Sequence, residues 1–201
     1  MVYSSFKFEQ VLDEFYLSIR EQDLFKNLTG IEPTQWLTDT LAKGEKFAIL
    51  TSTEKAKSEF IIAPILLEVT SYYPQQLAIH SGRNLEADSD EGLSGECDFI
   101  IGKGSVSTIV NQPIITILRK KEHQSHHDAL GQCIAQMYGA MVYNQKHNDH
   151  TDKVYGCLTN GETWQFLKLE DELITIDPNV IYLNELERIL SCFSEIVSEF
   201  L

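Results

Sequence analysis

Apolar residues recur with helical spacing at both ends of the chain and cluster in short dense runs through its middle. Phe8, Val11, Leu12, Phe15 and Ile19 lie three or four apart, which predicts one amphipathic helix. A second, short helix is expected over Thr34 to Lys43, after Pro33. Thr51-x-x-Glu54 has the form of a capping box opening a third helix that runs through Phe60, Ile61, Leu66 and Leu67 to Val69. Pro64 should kink that helix, because its ring removes a backbone donor.

The middle of the chain reads as strands: Gln76 to Ser81, Cys97 to Gly102 and Ile114 to Lys120. The unbroken runs Phe99-Ile100-Ile101 and Ile114 to Leu118 predict a sheet covered on both faces. Between them, the acidic Asn84 to Ser94 stretch is expected to be a loop. Its Asp88-x-Asp90 pair is not a calcium loop, since Leu93 stands where an EF-hand needs glycine. A helix from about Asp128 to Asn144 is apolar nearly all round and therefore buried. Val154 to Thr159 and Thr163 to Leu169 flank Asn160-Gly161, which predicts a hairpin closed by a type I′ turn. Leu173 to Ile176 adds a strand. Asn184-x-x-Glu187 should cap a last helix whose stripe, Leu186, Ile189, Leu190, Phe193, Ile196, Val197 and Phe200, docks on its own sheet or on a second subunit.

The expected architecture is α/β: a central mixed sheet flanked by helices, with a helical segment over residues 1–50, a core over 51–176 and a C-terminal amphipathic helix over 184–201. The 201 residues fit a single domain. The longest apolar run, the eight residues Phe60 to Leu67, is far short of the ~20 a bilayer span requires. Lys7, Glu9, Asp13 and Glu14 interrupt the place of a secretory signal, so a cytoplasmic, non-membrane protein is expected. Cys97, Cys133, Cys157 and Cys192 are widely spaced without a C-x-x-C, which fits packed, reduced thiols. A net charge of −14 disfavours nucleic-acid binding by a whole face, so any DNA contact must be local. The one concentrated positive run is Arg119-Lys120-Lys121, and Lys120 and Lys121 are its candidates for touching phosphate.

Four polar residues stand beside apolar neighbours on successive elements: Glu68, Asp98, Lys121 and Gln132. Glu68 shares a helical face with Ile61, Pro64 and Ile65, so its carboxylate points coreward and needs a partner there. Ser58 through Val69, Gly95 through Phe99, Pro113 through Lys121, Gly131 through Ala135, Tyr155-Gly156 and Thr159-Asn160-Gly161 with Trp164 through Leu167 together resemble small bacterial proteins of the PD-(D/E)XK restriction-endonuclease-like superfamily. The resemblance implies a restriction-endonuclease-like fold and a nuclease core. There, acids from a helix and two adjacent strands hold Mg²⁺, which suits a hard cation that prefers oxygen and activates water. On that pattern Asp98 is the first strand acid, Lys121 the lysine, Glu68 the helix acid and Gln132 a supporting position.

The pattern breaks two residues before Lys121, where Arg119 replaces the second carboxylate. At an effective dielectric of about 20, unit charges ~4 Å apart interact by roughly 4 kcal/mol, so a guanidinium opposes a divalent ion by roughly twice that. Arg119 is therefore expected to pair with Asp98, Glu68 or both, leaving a degenerate nuclease with a binding or assembly role. Three alternatives stand beside this. Glu122 or Glu96 could restore the carboxylate, giving an active Mg²⁺-dependent DNA endonuclease with Asp98 and Glu68 as metal ligands. The charges could be a structural ion pair, with Gln132 and Gln136 a polar seam in a buried helix. The protein could instead be a homodimer joined through its C-terminal stripe, with no nucleic-acid role. His123, His126, His127 and Asp128 have metal-ligand chemistry without ligand spacing, and His147 and His150 fall in a polar loop.

Overall fold

A computed structural model of the protein describes residues 2–26, 28–51, 53–104, 110–147 and 151–201. Its centre is a mixed sheet of eight strands among the described residues: β1 (Ser18–Glu21), β2 (Leu77–Asp88), β3 (Leu93–Lys103), β4 (Pro113–Arg119), β5 (Lys153–Thr159), β6 (Thr163–Glu170), β7 (Leu173–Ile176) and β8 (Ile181–Tyr182). The order is β1-β7-β6-β5-β4-β3-β2, with β8 also paired to β6. β4 and β5 are parallel, and β2–β3, β3–β4 and β5–β6 are antiparallel.

The helices are α1 (Phe8–Glu14), α2 (Gln35–Thr51), α3 (Glu54–Lys57), α4 (Ala63–Ser71), α5 (His126–Lys146) and α6 (Leu186–Ser198). Two cores fill the two faces of the sheet. Phe99, Ile101, Ile115, Ile117 and Phe166 pack with α2, α4 and α6 on one side. Ile100, Leu118, Leu158 and Leu167 pack with α1 and α5 on the other. The dense apolar runs of β3 and β4 arise from that double cover.

Several local expectations are corrected. Ile19 does not belong to the first helix: Tyr16 takes a φ of 54°, and the chain turns into β1, which pairs in parallel with β7. A four-residue step after Phe15 carried no signal of that reversal. α2 runs on to Thr51, well past Lys43. The cap of α3 is Thr53, whose hydroxyl accepts the Ala56 N–H at 3.1 Å, so Glu54 is released from any capping box. Pro64 produces a π turn over Ser58–Ile62, in which the Ala63 N–H reaches the Ser58 carbonyl, and Pro64 then sits in the first turn of α4. A wider turn absorbs the missing donor because the bonding shifts by one residue ahead of the proline.

The Asn84 to Ser94 stretch is not a loop. β2 continues to Asp88 and β3 begins at Leu93, with Leu85, Ala87 and Leu93 buried on the α1 and α5 side of the sheet. The alternation of Leu85 and Ala87 with Asn84 and Glu86 is a strand pattern that the acidic composition obscured. At the other hairpin only Gly161 takes a positive φ, 89°, so the turn is not type I′. Asn160 shapes it through its side-chain oxygen, which accepts from the Glu162 and Thr163 N–H groups at 2.9 and 2.8 Å. Asn184 does not cap the last helix, which follows a 3-10 turn over Leu183–Glu185. The stripe of α6 packs on its own sheet: the Phe193 ring lies 5.1 Å from Phe166 and 6.0 Å from Trp164. Of the two dockings expected for that stripe, the chain's own sheet is the one observed. No helix among the described residues is long and apolar enough to cross a membrane.

Candidate active site

Asp98 lies on β3 where the ladder to β2 lacks its bridge, opposite Gly82 with a φ of +60°. Side-chain alternation slips there: Cys97 packs on the α5 side and Phe99 on the opposite side. Asp98 thereby faces the end of β4 from the middle of β3. Its Oδ2 accepts the Arg119 backbone N–H at 2.9 Å. Burial raises its pKa above the ordinary carboxylate value. The Arg119 N–H and the charges of Arg119 and Lys121 pull the other way without overcoming it, and Glu96 adds to the rise.

Arg119 is the last residue of β4. Its guanidinium nitrogen lies 3.5 Å from Glu54 Oε2 and 3.7 Å from Asp98 Oδ1. Both separations are ion-pair distances, too long for good hydrogen bonds. The side chain is 19% exposed, and its Nε is buried without a hydrogen-bond partner among the described residues. Glu54 opens α3, and its other oxygen accepts the Glu122 N–H at 3.1 Å, tying α3 to the chain just after β4. The guanidinium thus bridges a helix acid and a strand acid.

Two clefts meet at Arg119. One is lined by Asp98, Glu96, Arg119, Lys121 and Gln132, and the other by Glu54, Lys57, Lys120, Lys121, Glu122 and Asn160 with Arg119 shared. Gln132, buried on α5, accepts from Gln124 Nε2 at 3.1 Å, and Gln124 in turn accepts the Lys121 N–H at 3.3 Å. Gln136, one turn on, is fully buried and makes no side-chain hydrogen bond among the described residues. Lys57 is paired with Glu162 at 2.6 Å. Asp98, Arg119, Lys121 and Gln132 therefore come together as the sequence predicts, with Lys120 at the adjoining rim.

Glu68 does not join them. It is 2% exposed and binds the start of α2, accepting the Thr34 N–H and hydroxyl, both at 2.8 Å, and the Tyr72 hydroxyl at 2.9 Å. Fourteen residues separate Glu68 from Glu54 on the α3–α4 run, about 20 Å at 1.5 Å per residue. The helix partner of Arg119 is Glu54, and Glu68 serves as an acidic anchor for the positive end of α2. Glu54 was legible as a first-turn acid, but the capping box claimed its side chain.

The site does not fit a divalent ion as it stands. Magnesium needs converging oxygens, and here a cation lies between the two nearest carboxylates. No cluster of three or more His, Cys, Asp or Glu side chains able to hold a metal occurs among the described residues. Among the described residues the histidines form no metal-holding group either. His127 lies 3.5 Å from Glu9 and its ring stands edge-on to Phe8, and His126 opens α5. His150 lies outside the described residues. No protein-family model matches the chain, and no curated protein matches its sequence.

Proposed function

We propose that the protein is a restriction-endonuclease-like module whose metal centre is closed by Arg119, so that it acts by binding or assembly rather than by phosphodiester hydrolysis. One observation carries this reading: the guanidinium lies between Glu54 Oε2 and Asp98 Oδ1, at 3.5 and 3.7 Å. The strand acid Asp98 lies where the resemblance implies, the helix acid beside Arg119 is Glu54 rather than the expected Glu68, and the residue where a second strand acid belongs supplies a positive charge. Lys120 and Lys121, beside Asn160, give this end of the sheet a local cationic rim, a contact point for a phosphate backbone on an otherwise acidic protein.

The test is incubation of the full chain with supercoiled plasmid and Mg²⁺ or Mn²⁺, alongside thermal melting with and without the ions. The expected result is intact plasmid and an unchanged Tm. Arg119→Glu should then gain a metal-dependent rise in Tm, because three carboxylates would face one another. The rival reading is an active nuclease in which Glu96 or Glu122 supplies the missing oxygen, favoured by their position on the two clefts that Arg119 shares. Metal-dependent cleavage by the unaltered protein, abolished in Asp98→Ala, would establish the rival and overturn the closed-site reading.

A further inference from the structure

We propose that two copies of the chain associate through the outer face of α2 and the helix packed against it, a surface independent of the Arg119 site. α2 and the α3–α4 run are antiparallel: Thr34 meets Glu68 at one end, and a Cβ at Gly44 would lie 2.7 Å from the Phe60 carbonyl further along. The inward side of α2, Leu37, Leu41 and Ala48, is buried in the core. Its outward side is not polar. Trp36, Phe47 and Leu50 on α2 and Phe60 and Leu67 on its neighbour are all exposed, Leu50 by 72% and Phe47 by 57%. The Phe47 and Phe60 rings lie 6.2 Å apart, so the two helices contribute to one apolar surface. A concentration of large apolar side chains in one place, unlike such residues scattered singly, marks an interaction surface.

Charge selects the occupant. The chain carries a net −14, yet residues 35–60 hold four lysines and four acids, so this face is neutral and the rest of the molecule bears the whole excess. Two chains of −14 repel each other over most orientations, and a neutral apolar face is where that repulsion is least. A cationic partner would be drawn to the acidic remainder instead. The exposed rim holds Lys43, Lys46 and Lys55 with Asp39, Glu45 and Glu59. A two-fold pairing can therefore set lysines of one copy against carboxylates of the other, as a self-complementary interface requires. The C-terminal stripe offers no competing surface, being packed on its own sheet.

The experiment is sedimentation equilibrium of the full chain from micromolar to sub-millimolar concentration. It is to be repeated for Phe47→Glu and Leu50→Glu, which alter exposed positions, and for Tyr16→Ser at an exposed aromatic on another part of the surface. The expected result is a concentration-dependent dimer that Tyr16→Ser preserves. Each glutamate, present twice in a symmetric interface, should weaken it on the order of 100-fold or more, with the urea midpoint unchanged when read at a concentration where the unaltered chain is monomeric. A monomer at every concentration overturns the proposal, as does a dimer indifferent to both glutamates. A monomer that co-sediments with phosphatidylcholine vesicles also overturns it, by assigning the face to a lipid surface.

Discussion

Asp98 grips Arg119 at two points, taking its backbone N–H on Oδ2 at 2.9 Å while Oδ1 lies 3.7 Å from its guanidinium. The backbone contact fixes the end of β4 against β3, and the side-chain contact sets the guanidinium over the same carboxyl group. Glu54 then holds the far side of the guanidinium at 3.5 Å. The guanidinium leaves this position only by giving up both ion pairs, and that loss is what the proposed closed centre predicts a metal ion would have to offset.

Asp98 and Glu199 should affect acid stability in opposite senses. Burial raises the Asp98 pKa, so the folded chain holds this proton more tightly than the unfolded chain does. Its contribution is then present below the ordinary value of 3.8 and is lost as pH rises through the raised native value. For Glu199 burial pushes upward, but hydrogen bonds from Lys153 and Tyr155 outweigh it and the pKa falls. That contribution is present above 4.5 and lost as pH drops through the lowered native value. Urea midpoints measured against pH should show the wild-type advantage over Asp98→Asn shrinking as pH rises, and that over Glu199→Gln growing.

Glu68→Ala is expected to destabilise the fold by about 1–3 kcal/mol, because it removes the carboxylate that accepts from Thr34 and Tyr72 and takes an anion from the start of α2. Urea denaturation measures the loss. Hydrogen exchange should report faster opening of the first turn of α2, and the response to Mn²⁺ should match that of the unaltered protein. A metal response of the unaltered protein that Glu68→Ala abolishes would place this residue in the site after all.

Gly44→Ala should destabilise despite being a helix-favouring substitution. The new methyl would meet the Phe60 carbonyl at 2.7 Å, and that oxygen belongs to the π turn rather than to a flexible side chain. Overpacking of this kind costs roughly 1–3 kcal/mol, against about 1 kcal/mol gained in helix propensity. A lowered melting temperature is the expected readout, and an unchanged or raised one would show that α2 slides freely over the turn.

The thiols should be inert in the folded protein. All four cysteines are buried, and burial pushes Cys97 and Cys133 up to about 12, far from the thiolate form that reacts. Labelling with an aromatic disulfide reagent should therefore follow global unfolding as urea is added. A fast phase in native buffer would reveal local opening around α5.

The sequence by itself determined the order of the main elements from α2 to α6, the sheet covered on both faces, and the meeting of Asp98, Arg119, Lys121 and Gln132, but not β1, β8 or the full length of β2. Asp98, Arg119, Lys121 and Gln132 sit at the ends of strongly patterned apolar runs, so the periodicity that builds β3, β4 and α5 also places their polar neighbours. Where the sequence misled, a local signal had two meanings. Glu54 fits a capping box as well as an ion pair, and Glu68 fits a site acid as well as an anchor for α2. Leu85 and Ala87 lay hidden in an acidic stretch whose strand exists because α5 covers it. Only tertiary packing chose among these. Which helix acid meets Arg119 depends on how α3 lies across the end of β4, and which apolar stripes remain uncovered depends on which partners the cores have already taken. Spacing along a chain fixes the face a side chain takes on its own element, and the docking of distant elements fixes what that face meets.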